Sequence, residues 1–134
     1  MRLIPLNELH EWMPEITKTL DHFVKDAPGY DYEQELITIF QGYYRVWDIG
    51  NRNIVVTELS RRPKPILWVR WLMGKGDGDS FDDDLYDGLI EHAKDCGAEA
   101  VEFALRRGFR RSKWAKKYTD MKHVADFYRI DLRE

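Results

Sequence analysis

The chain has 134 residues, of which 43% are hydrophobic, 13% aromatic and 34% charged, and its formal net charge is −3 at pH 7. That length suits one domain with a real core and is too short for two independent ones, and the charge argues against a protein that coats nucleic acid with its whole surface. One cysteine, Cys96, rules out an intramolecular disulfide and a cysteine metal cluster; no apolar run is long enough to span a bilayer and residues 1–5 lack a signal-peptide core, so the expected location is the cytoplasm.

Arg2 to Leu6 reads as a short first strand or a lead-in ended by proline. Asn7 is the expected N-cap of a short turn reaching Met13, and Pro14 opens a helix to about Lys25 with Ile16, Leu20 and Phe23 on its inner stripe. Ala27-Pro28-Gly29-Tyr30 breaks the pattern, Asp31 and Gln34 offer a capping box for a second helix carrying Leu36, Ile37, Ile39 and Phe40, and Gly42 ends it.

From Tyr43 the apolar period becomes two. Tyr43 to Ile49 predicts a strand, Gly50 to Asn53 a turn, and Ile54 to Leu59 the antiparallel return. After a second turn at Arg61 to Pro65, the run Ile66-Leu67-Trp68-Val69-Arg70-Trp71-Leu72-Met73 is apolar except at Arg70, which predicts a central strand covered on both faces. Gly74-Lys75-Gly76-Asp77-Gly78-Asp79-Ser80 then supplies three alternating glycines. Ser80 with Asp83 fits a capping box, and Phe81, Leu85, Leu89, Tyr86, Ile90 and Ala93 predict an amphipathic helix stopped by Gly97. A strand entering a glycine turn and then a helix N-terminus is a ready anion site, because free backbone N–H groups and the helix dipole face one spot. Ala98 to Leu105 predicts a strand parallel to the central one through that helix. A basic helix runs to Lys117, and His123 to Leu132 supplies a last strand or hairpin.

Strand, helix, helix, three antiparallel strands, glycine turn, helix, strand, helix, strand: this order resembles the GNAT acyltransferase superfamily over nearly the whole chain. Val56-Thr57-Glu58-Leu59, then Leu89 to Ala98, then Arg106-Arg107-Gly108-Phe109-Arg110-Arg111, are similar to small GNAT-like proteins of tailed phages and prophages. The resemblance implies a single α/β domain with a mixed, mostly antiparallel sheet flanked by helices, and acetyl-CoA as the acyl donor. In the superfamily the turn after the fourth strand follows R/Q-x-x-G-x-G/A and holds the acyl-CoA pyrophosphate on backbone N–H groups. By that likeness Leu72, Met73, Gly74, Lys75, Gly76, Asp77 and Gly78 would bind cofactor, with Arg70 one residue too far upstream for the pattern, and Arg107 would reach the adenosine 3′-phosphate. Asp77, Asp79, Asp82, Asp83, Asp84 and Asp87 depart from it, since a pyrophosphate there meets like charge; carboxylates in a first helical turn also simply complement the dipole.

GNAT enzymes commonly use a strand glutamate to accept the amine proton and a tyrosine to protonate the departing thiolate. Glu58 is the candidate base, with solvent exposure or a cross-sheet pair with Arg70 as the alternative. Alignment on the tyrosine-bearing ending places Trp114 at the acid's position, and Tyr118 lies one turn on as a substitute or a packing residue. Between Arg106 and Lys117, seven of twelve residues are basic and none acidic. A solvated face, a protein partner or self-association, and nucleic acid, in that order, are the readings of this helix. The four histidines show no metal-ligand spacing with one another or with Cys96, so no metal site is expected, and Cys96 reads as a packed small hydrophobe. Two functions follow: an acetyl-CoA-dependent N-acetyltransferase acting on an amine, or a catalytically inactive GNAT-fold protein used in phage virion assembly or as an interaction module.

Overall fold

Alternating valines and isoleucines between glycine-marked helix ends give this chain a sheet framed by short helices. The structure, a computed structural model, describes residues 1–25, 29–61, 63–73, 83–103, 121–124 and 127–132. In chain order the elements are β1 (Arg2–Leu3), a 3-10 helix (Leu6–Trp12), α1 (Met13–Phe23), α2 (Tyr32–Phe40), β2 (Arg45–Asp48), β3 (Ile54–Ser60), β4 (Ile66–Met73), α3 (Asp83–Asp95), β5 (Ala100–Phe103), β6 (Met121–Val124) and β7 (Phe127–Asp131). The sheet order is β1-β2-β3-β4-β5-β7-β6. β1–β2, β2–β3, β5–β7 and β6–β7 are antiparallel and β4–β5 is parallel, so the expected mixed, mostly antiparallel α/β architecture is present. The five residues between β3 and β4 are too few for a crossover, which makes that neighbouring pair antiparallel as well.

The chain divides into two compact units, Met1–Glu58 with Trp71–Ser80, and Leu59–Arg70 with Phe81–Glu134. In the first, Asn7 is not a cap. The helical turn begins at Leu6, with extended Pro5 as its N-cap and no side-chain bond there, and Glu8 N–H donates to the Pro5 carbonyl at 2.9 Å. Proline's fixed φ already turns the chain, so the first turn needs no side-chain acceptor. The 3-10 helix runs straight into α1, where a proline in the first turn sacrifices no intrahelical bond. Asp31 caps α2 as expected, accepting from Gln34 N–H at 3.2 Å, but the Gln34 side chain turns forward to Thr38 rather than back, leaving half of a capping box.

Leu9, Trp12, Ile16, Leu20 and Val24 from the helices, with Ile39 of α2, bury against Val46, Ile54 and Val56 of the sheet. Phe23, Leu36 and Phe40 are partly buried against this core, whereas Ile37 is exposed. Trp47 and Thr57 occupy the other face, where the indole Nε1–H donates to Thr57 Oγ1 at 3.0 Å.

In the second unit, Leu67, Val101 and Ile130 form one buried row across β4, β5 and β7. α3 buries Leu85, Leu89 and Ala93 at helical spacing. Leu67 and Val69 are buried while Ile66, Trp68 and Arg70 are half-buried, so β4 has one fully covered face over these residues rather than two. β5 begins at Ala100, two residues later than expected, and the C-terminal segment is a hairpin whose second strand lies beside β5.

Candidate functional site

β4 ends at Leu72 and Met73, the first two residues of the expected cofactor stretch. Gly74, Lys75, Gly76, Asp77, Gly78, Arg107 and Tyr118 lie outside the described residues, as do the Arg106–Lys117 segment and Trp114. α3 opens with Asp83 and Asp84, both exposed in its first turn. There they offset the positive end of the helix dipole, and they present like charge to any phosphate drawn to the same terminus. β4 and β5 are parallel neighbours joined through α3, in register from Ile66↔Ala100 to Val69↔Phe103. In such a unit the crossover helix starts from the carboxyl end of the first strand, where open sheets bind ligands.

Glu58 lies on β3, half-buried, and its side chain has an interaction partner. The two-residue period puts it on the face of Ile54 and Val56. It is third from the end of β3, whereas Leu72 and Met73 end β4; in an antiparallel pair these are opposite ends. The candidate base therefore stands away from Met73, the last described residue before the glycine-rich stretch.

Glu102 on β5 is a carboxylate that the sequence reasoning passed over, and it is only 3% exposed. It shares a cross-sheet row with Trp68 of β4, and Arg129 occupies the register position opposite it on β7. No alternation marks it out: Ala100 and Val101, on opposite faces of β5, are both buried, so the strand is covered on both sides there. The sequence reading also separated His92 from Cys96. The structure brings them together on the last turn of α3, Cys96 Sγ standing 3.6 Å from His92 Nε2 and 3.7 Å from Nδ1, with both residues half-buried. Residues four apart on a helix are neighbours, which was the missed signal. No group of three His, Cys, Asp or Glu side chains gathers at metal-binding distance among the described residues, and no described helix is long and apolar enough to cross a membrane.

The sequence matches no protein-family model and no curated protein. Solved structures do resemble it. An acetyltransferase of GNAT family from Staphylococcus aureus Mu50 superimposes with a TM-score of 0.64 at 11% identity, over 98% of this chain and 97% of that one. A second Staphylococcus aureus Mu50 protein, provisionally assigned as an acetyltransferase, gives a TM-score of 0.53 at 16% identity, over 98% of each chain. Near-complete coverage of both chains, with the β4–α3–β5 crossover beside an otherwise antiparallel sheet, means that this chain has the fold of the GNAT acetyltransferases.

Proposed function

We propose that the protein is a GNAT-type N-acyltransferase that takes an acetyl group from acetyl-CoA and gives it to an amine, working in the cytoplasm of a cell that hosts a phage or prophage. The observation that carries this reading is the parallel β4–β5 pair with β4 ending at Met73, directly before the glycine-rich sequence Gly74-Lys75-Gly76-Asp77-Gly78. The phage setting rests on the sequence segments at Val56–Leu59, Leu89–Ala98 and Arg106–Arg111 alone.

Bound acetyl-CoA supplies an activated thioester carbonyl. Backbone N–H groups from Leu72 to Gly78 would hold its pyrophosphate, with a charge-assisted contact from Lys75 and a 3′-phosphate contact from Arg107. Glu58 would take the proton of the acceptor ammonium on its carboxylate, directly or through one water, and Tyr118 would protonate the departing thiolate. The thioester is separated from the pyrophosphate by a long arm, so a base remote from the turn suits the chemistry.

The exposed Asp83 and Asp84 favour a second reading, a catalytically inactive module that binds a protein partner or a second copy through Arg106–Lys117. Isothermal titration with acetyl-CoA separates the two. The acyltransferase reading expects micromolar binding, lost in Gly76→Asp, which adds bulk and charge at the pyrophosphate turn. Absence of heat and of thermal shift at millimolar acetyl-CoA would overturn it.

A further inference from the structure

No further inference is drawn: the strongest candidate, the buried carboxylate of Glu102 on β5 between β4 and β7, already has an interaction partner within the protein, and nothing in the structure shows a ligand reaching it.

Discussion

Arg52 carries the β2–β3 turn on an unusual backbone and repays it with contacts. It sits at φ +60°, a region that costs a side-chain-bearing residue roughly 1–2 kcal/mol. Its guanidinium lies 3.9 Å over the Trp12 ring, donates to the Glu11 carbonyl at 3.1 Å, and pairs with Glu15. The group is more than half exposed, so water screens the ion pair and the stacking and carbonyl bond dominate. Arg52→Ala keeps the backbone cost and loses the contacts; urea unfolding should show a loss of about 1–2 kcal/mol, mostly insensitive to added salt. A second single-residue effect is pH-dependent. Burial, then the Asp21 charge, then a hydrogen bond to Asp21 raise the Tyr32 phenol above its ordinary range. The folded state therefore keeps that proton after the unfolded chain has released it, and stability falls as pH rises above about 10. Tyr32→Phe should flatten this alkaline slope in denaturant titrations, while a slope unchanged in the variant would assign it to other groups.

Two helices stop by the same device. After α2, Gly42 at φ +83° donates to the Ile39 carbonyl at 3.1 Å and Tyr43 to Thr38 at 3.2 Å. After α3, Gly97 at φ +75° donates to Lys94 at 3.0 Å and Ala98 to Ala93 at 2.9 Å. Both are paired 5→2 and 6→1 closures that need a left-handed residue. A Cβ at Gly97 meets open space, whereas one at Gly42 comes 3.1 Å from Leu6 Cδ1, the tip of a 58% exposed side chain that can swing away. Gly42→Ala and Gly97→Ala should hence cost nearly the same, about 1–2 kcal/mol each by thermal unfolding; a much larger loss at Gly42 would show that Leu6 is held in place. These stops were legible because one residue type in one conformation decides them, and Asp31 was legible for the same reason. Asn7 misled because Pro5 had already turned the chain, and nothing local tells a capping asparagine from one inside the turn. Burial of Glu102 depends on neighbouring strands, and the placement of β7 between β5 and β6 depends on a pairing that chain order leaves open.

At the scale of the molecule, the parallel return of β5 beside β4 was readable because a strand followed by a helix of these lengths comes back only one way. The division into two units raises a question of cooperativity. Its boundary falls inside β3, between Glu58 and Leu59, and inside β4, between Arg70 and Trp71. Each unit takes in part of the same two strands, so the backbone of β3 and of β4 runs unbroken from one unit into the other. One transition should follow, with Trp fluorescence and far-ultraviolet dichroism superimposing, since Trp12 and Trp47 belong to one unit and Trp68 to the other. Calorimetry should return an unfolding enthalpy on the order of 90 kcal/mol near 60 °C, equal to the van't Hoff value. Two resolved transitions, or a calorimetric enthalpy well above the van't Hoff one, would mean that the strands fray at that boundary and that the chain behaves as two domains.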